Sequence, residues 1–541
     1  MTSVSNKGWR VVAVAGTAAA ALVLAGCASG GGTSSGGSSN SIVVGTTDKV
    51  TFLDPAGSFD NGSLTVQTQV FANLMNSKPG TSEVQPDLAS KAEFTSPTEY
   101  TVTLKSGLKF ANGDKLTASD VKFSFDRQLK INDPNGPSYL LANLASTDAP
   151  NDTTVVFHLK AGNDQVFPQV LSTSAGAIVD EQVFSADKVT PDKDIVKGEA
   201  FDGQYKIDSY DFNNLITFKA NPNYAGLLGA AKTSSITQKY YTDASNLKLD
   251  VQEGNIDVAY RSLSATDVQS LSSDKKVKVV HGPGGEMRYI VFNFNTMPYG
   301  ATQPGADAKK ALAVRQAAAD LIDRSEIASQ VYKNTYTPLY SFVPDGLTGA
   351  TTVLKSMYGN GKGGPDAAKA KKALTDAGIT TPVALKLQYN TDHYGESSTD
   401  EYALVKSQLE AGGLFTVTLQ STEYTQYSKD RTADVYPEYQ LGWFPDYADA
   451  DDYLTPFFGA DSFLVNHYSN QAVIDQIKKQ ATESDPAARK ALIEDIQAKV
   501  AADLPTLPLL QGSQVAVTGT DISGTTLDGA FKFRFGTLVK G

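Results

Sequence analysis

Only one of the 541 residues is a cysteine, Cys27, so the chain can close no intramolecular disulfide and must be held together by buried apolar surface. A single hydrophobic core stops growing at roughly 250–300 residues, so a chain of this length is expected to divide into two or three. Its composition suits that, with 41% hydrophobic, 9% aromatic and 20% charged residues. No run beyond residue 30 is apolar for long enough to cross a bilayer, and the body is expected to be soluble. A lone thiol also excludes a multi-cysteine metal site.

The cysteine stands at an informative place. Lys7 and Arg10 precede an apolar run, Val11 to Ala25, with the charged start and short apolar stretch of a secretory signal. The run ends in Leu24-Ala25-Gly26-Cys27, which matches the bacterial lipobox, where the cysteine becomes the acylated first residue of the mature chain. The expectation is a signal peptide at 1–26, then at 27–40 the lipidated Cys27 and a flexible Gly/Ser tether. The lipid would hold the body on the extracytoplasmic face of the cell membrane. Loss of residues 1–26 removes two basic and no acidic side chains, so the net charge moves from −12 to −14. An acidic body argues against nucleic acid as a partner and against electrostatic adhesion to anionic lipid.

Beyond the tether, periodicity alternates between strand and helix. A β-rich start from Ser41 turns at Asp54-Pro55, and Leu64 to Met75 has helical spacing. Thr153 to Lys160 alternates as a strand. Gly282 to Gly285, GPGG, reads as a break before a strand at Tyr289 to Asn295, and Lys309 to Tyr332 reads as one helix. Pro365-Asp366 opens a further helix, Val383 to Tyr389 is a strand, and a helix near 399–410 leads to a strand near 415–419. A late helix is capped by Asp485-Pro486, and the chain finishes on β-rich QVAVTG and FKFRFGTLV. Such alternation makes an α/β fold. Nothing in it suggests an oligomer, and a monomer is expected.

One stretch carries chemistry. Gln440 to Phe458, QLGWFPDYADADDYLTPFF, sets Trp443 and Phe444 beside Asp446, Tyr447, Asp449, Asp451 and Asp452. Ring faces and fixed negative charges together attract a cation carried on a partly apolar small molecule. A solvated acidic loop pinned by one buried Trp would read the same, and the segment alone leaves both open. Catalytic motifs are missing: there is no GxSxG, no P-loop and no GxGxxG between strand and helix. His158, His281, His393 and His467 are scattered without ligand spacing, and the acids lack the glycine and closing glutamate of a calcium loop. The expectation is a protein that is not an enzyme and needs no cofactor or metal.

Gln85 to Arg127 adds a longer signature. Tyr100, Val102 and Leu104 alternate as a strand, Asn112-Gly113-Asp114 makes a turn, and Thr117 caps a helix from Ala118. With Pro86-Asp87-Leu88-Ala89 and Thr117-Ala118-Ser119-Asp120-Val121, this block resembles extracellular solute-binding protein family 5, the peptide and nickel receptors of ABC importers. Asn221-Pro222-Asn223-Tyr224, Val314-Arg315-Gln316-Ala317 and Ile322-Asp323-Arg324 resemble further elements of that family. The resemblance implies a type II periplasmic-binding-protein fold, two α/β lobes joined by a hinge with an additional inserted domain. The lobes are placed at 41–75, 196–285 and 505–541 (first), 76–195 (inserted) and 286–504 (second), with crossings at His281 to Gly285 and Leu504 to Gly512. It further implies a lipoprotein that captures extracellular di- or oligopeptides and delivers them to a membrane permease and ATPase complex. Gly442, Trp443 and Asp446 match a Gly-Trp-x-x-Asp loop whose aspartate pairs with the peptide amino group, so the implied ligand-binding set is Asp446, Trp443, Gly442, Phe444 and Tyr447. Oligopeptide members carry an arginine three residues before that Trp, where this chain has Gln440. An oligosaccharide, a nickel complex or haem would suit the same fold, and a non-transporting peptide sensor or adhesion lipoprotein would share the tether.

Overall fold

The computed structural model describes residues 41–460, 462–528 and 532–541. The signal peptide, Cys27 and the tether lie outside the described residues. No helix among the described residues is long and apolar enough to cross a membrane.

An eleven-stranded mixed sheet organises the body. Its strands are β1 (Ser41–Thr46), β2 (Tyr205–Asp211), β3 (Leu215–Ala220), β4 (Ser235–Tyr240), β5 (Val258–Tyr260), β6 (Val277–Phe292), β7 (Tyr336–Pro338), β8 (Val383–Tyr389), β9 (Phe415–Ser421), β10 (Glu438–Trp443) and β11 (Thr506–Gly519). In space they run β9-β8-β10-β6-β11-β5-β1-β4-β3-β2, with β7 on β11. Three main cores pack on this frame. The first includes Ile42, Val44, Phe201, Phe218, Ile236 and Phe535. The second, the largest, runs from Met287 to Leu510 in sequence. A third is built on a separate four-stranded antiparallel sheet, Ala89–Ser96, Glu99–Leu104, Thr154–Leu159 and Leu144–Asn151 in spatial order, where Val102 and Phe157 meet Phe125 of the helix Ala118–Ile131. That helix starts where Thr117 and Asp120 cap each other's backbone, as the sequence leads one to expect.

β6 and β11 correct the reading of GPGG as a break. The strand continues through Gly282 to Gly285, with β11 paired to it from Val277↔Gly519 to Pro283↔Ser513 and again from Met287↔Gln511 to Val291↔Thr506, the register shifting between Pro283 and Met287 and between Arg288 and Tyr289. Close approach explains one glycine here: a Cβ on Gly284 would stand 1.9 Å from the Gly512 carbonyl oxygen. β5 pairs with β11 near its Gly519 end and β10 pairs with β6 near its Phe292 end, so these two long strands link the first core to the second.

Other boundaries also move. Asp60 accepts the Ser63 N–H and starts the first helix at Asn61–Val70, earlier than the expected 64–75, after which Met75–Ser77 pairs as a short strand with Val84–Pro86. The long helix expected from Lys309 divides into Ala308–Leu321 and Arg324–Gln330, because Asp323 adopts an extended backbone and caps the second piece by accepting the Glu326 N–H. Arg315 donates to the Asp503 carbonyl at the end of the helix Pro486–Asp503. From Lys532 on, the β-rich ending is mostly not strand: the Gln69 side chain bonds the Phe533 carbonyl and the Phe535 N–H, doing there what a neighbouring strand would. Asp54 and Arg127, 0% and 2% exposed, form a buried bidentate ion pair at 2.9 and 2.7 Å. Asp54 also accepts the Thr190 N–H, joining three distant segments.

Candidate functional site

Strand β10 delivers the aromatic-acidic stretch. Its last residues, Gly442 and Trp443, pair with Arg288 and Met287 of β6. The Trp443 ring packs on Phe457 and Phe463 at 5.0 and 5.6 Å, and its indole N–H donates to Asp452 at 3.2 Å. A few residues on, Asp449 takes a bidentate ion pair from Arg489 at 2.8 and 2.6 Å. Pinned at both ends, Phe444, Pro445, Asp446, Tyr447 and Ala448 form one wall of a cavity. The other walls come from the helix Asn61–Val70, the strand pair at Asn76 and Val84, the Ser172–Ser174 turn, Tyr260-Arg261 and Lys532. These belong to or adjoin the first and third cores, so the loop from the second core closes a cleft against the other two.

The acids of the stretch separate by role. Asp449 is held by Arg489. Asp451 accepts the hydroxyls of Thr455 at 2.6 Å and Tyr447 at 3.2 Å, and the Gln480 amide. Asp452, 1% exposed, accepts from Trp443 and from the Asp446 N–H at 2.9 Å. Among the four aspartates Asp446 alone lines the cavity, half-buried, with Tyr139 near its carboxylate. Burial pushes Asp446 up to about 6, and burial together with the charge of Asp446 pushes Asp452 well above the usual carboxylate range. The two carboxylates titrate as one coupled pair, and Asp446 is the member that faces the cavity.

Two cations share the cavity. Arg261 follows β5 with φ +60°, its Nε 3.2 Å from an Asp48 carboxylate oxygen and its guanidinium 5.9 Å from the centre of the Phe444 ring. Lys532 donates to the Ser172 carbonyl at 2.6 Å. Sequence reasoning missed both, together with Tyr139. Lys532 sits in a run that reads as a plain strand. Among the described residues no group of three or more His, Cys, Asp or Glu is placed to hold a metal ion.

Residues 83–463 match the family model described as bacterial extracellular solute-binding proteins, family 5 Middle. The chain belongs to that family. Similar curated proteins include the one named Probable D,D-dipeptide-binding periplasmic protein DdpA of Escherichia coli strain K12, 25% identical over 498 residues that cover 89% of this chain and 90% of the relative. Another is the dipeptide-binding protein DppE of Bacillus subtilis strain 168, 24% identical over 508 residues, covering 89% of each. Among solved structures, the ABC transporter substrate-binding protein CtaP of Listeria monocytogenes superposes with a TM-score of 0.77 at 23% identity, over 92% of this chain and 99% of that one. The fold of this family-5 solute-binding protein is the type II periplasmic-binding-protein fold, two α/β lobes with an additional domain.

Within the solute-binding protein, the expected ligand-binding residues divide. Phe444, Asp446 and Tyr447 line the cavity. Gly442 and Trp443 are not among the lining residues. A Cβ on Gly442 would meet the Tyr394 ring at 3.0 Å and the Met287 carbonyl at 3.1 Å, so glycine there permits packing of β10, and Trp443 supports the loop from behind. Gln440 is 1% exposed, donating to Ser398 and accepting the Asn390 N–H at 3.0 Å each, and stands outside the cavity lining.

Proposed function

We propose that this protein is the peptide receptor of an ABC importer. It captures short extracellular peptides in the cleft closed by the 444–448 loop and delivers them to a membrane permease. The observation that carries the reading is that of the four aspartates of the stretch Asp446 alone faces the cavity, while its three neighbours are engaged within the protein. An ammonium entering beside it gains charge-assisted hydrogen bonds worth roughly 1.5–3 kcal/mol each. Phe444 and Tyr447 offer ring faces to the rest of the ligand. The dipeptides in the names of the similar proteins suit this chemistry.

In this proposal the first lobe comprises 41–75, 196–285 and 505–541, the inserted domain 76–195 and the second lobe 286–504. The lobes close by flexing β6 and β11 near the register shift at Pro283 to Met287, and a closed receptor differs from an open one in a way a permease can read. Cys27 carries the lipid that keeps a monomeric receptor at the extracytoplasmic face, and no reaction is catalysed.

Native mass spectrometry of the purified protein, before and after exposure to a mixed peptide library, tests the reading. Retained masses that fit short peptides are expected. Retention of sugars, haem or metal complexes with no peptide at any concentration would overturn it. Replacement of Cys27 by Ala should release the protein from the membrane fraction.

A further inference from the structure

Lys532 lines the cavity from the other lobe, beside Phe533 of the first core, while Asp446 belongs to the second. An ammonium offers three donors, and Lys532 uses one, on the Ser172 carbonyl. The acids near it are engaged elsewhere. Asp528 pairs with Arg534 at 2.5 Å, and Asp87 accepts the Tyr224 hydroxyl, the Asn76 amide and the Leu227 N–H. Among the described residues no carboxylate forms an ion pair with Lys532. On the same wall, the hydroxyl of Ser174 finds no partner among the described residues. Arg261, the other cation of the cavity, already has Asp48 and the Phe444 ring.

A half-buried ammonium without an ion-pair partner among the described residues, the nearby acid Asp528 accepting its backbone N–H and the Arg534 guanidinium, is costly to keep in a fold, and it becomes favourable when a ligand brings an anion into contact. We infer that Lys532 receives a carboxylate of the ligand, so that the cavity selects zwitterions whose ammonium lies at Asp446 and whose carboxylate lies at Lys532. The inference rests on the peptide reading above. The carboxylate comes from the peptide's C-terminus or from an acidic side chain, and both make the same charge-assisted bond. Burial and the nearby Arg534 bring Lys532 down to about 8, with Asp528 and Asp87 acting the other way, so it is charged at neutral pH and its grip on an anion weakens above that value.

The test is calorimetric titration of the full-length protein in detergent with trialanine, trialanine amide and Ala-Glu-Ala amide, for wild type, Lys532→Gln and Lys532→Arg. If the C-terminus is the source, amidation of trialanine costs wild type about tenfold or more in affinity. It should cost Lys532→Gln nothing and Lys532→Arg much of the wild-type penalty. If an acidic side chain is the source, Ala-Glu-Ala amide binds wild type about tenfold more tightly than trialanine amide, and Lys532→Gln loses that preference. Equal binding of all three peptides by wild type, or a carboxylate preference that survives in Lys532→Gln, overturns the inference and leaves the peptide reading standing. Binding of none of the three, with none retained from the library, overturns both.

Discussion

Replacing Asp446 by Asn isolates the charge at the centre of the proposed site. The backbone N–H of residue 446 keeps its bond to Asp452, so the loop should hold its shape. What disappears is the negative charge on a half-buried group, and with it one or more charge-assisted bonds to an ammonium. At roughly 1.5–3 kcal/mol for such a bond, affinity for a free-amine peptide should fall by about 10- to 150-fold. N-acetylated peptides, which carry no ammonium, should bind the variant and wild type equally. Protonation mimics the substitution: Asp446 sits at about 6, so wild-type affinity for free-amine peptides should decline as pH falls through that value, while the Asn variant stays flat. Calorimetric titration at pH 5 and 7 reads both effects. If Asp446→Asn binds free-amine peptides within about twofold of wild type, or loses acetylated and free-amine peptides alike, the ammonium role is wrong.

Arg127→Met should cost about 3–5 kcal/mol in denaturant unfolding by stranding the fully buried Asp54, and adding Asp54→Asn should recover part of that loss. Burial pushes Glu438 up to about 8, so the folded protein holds a proton that the unfolded chain releases once pH rises past the ordinary glutamate range. Stability should therefore fall with rising pH between about 4.5 and 8, by up to about 1.4 kcal/mol per pH unit from this group, and Glu438→Gln should flatten that limb in thermal melts at pH 5 and 8. An unchanged slope would assign the pH dependence to other groups. Phe444→Ala removes the ring beneath Arg261 and should speed ligand release several-fold in stopped-flow dissociation, as loss of a cation–π contact worth roughly 0.5–2 kcal/mol requires.

Local chemistry was legible in the sequence where it is self-contained. Val383–Tyr389 is a strand as the alternation indicates, and the caps at Thr117, Asp366 and Asp485 stand where the residue types put them. Distant partners were not legible. GPGG reads as a break because the pairing that carries it is supplied by a strand more than two hundred residues away. The same limit governs the candidate site. Asp446, Asp449, Asp451 and Asp452 are indistinguishable along the chain, and only Arg489, Gln480 and the folded position of Trp443 show which three are engaged. Lys532 is invisible for the same reason, since its place in the cavity is set by Gln69 and Arg534 tying the last segment across the first core.

The two anchors of the 444–448 loop have an evolutionary consequence. Trp443 and the Asp449–Arg489 pair fasten the ends of a short span whose side chains face the cavity rather than the interior that folds the lobe. In the proposed receptor such a span is a replaceable cassette, in which substitutions at Phe444 and Asp446 retune cargo preference at little cost to the scaffold, while Tyr447 also ties the loop to Asp451. Divergence among transporters built on this frame can therefore proceed by exchanging a handful of letters between two fixed rivets, and a library randomised at Phe444 and Asp446 alone would sample new cargoes from a uniformly folded population.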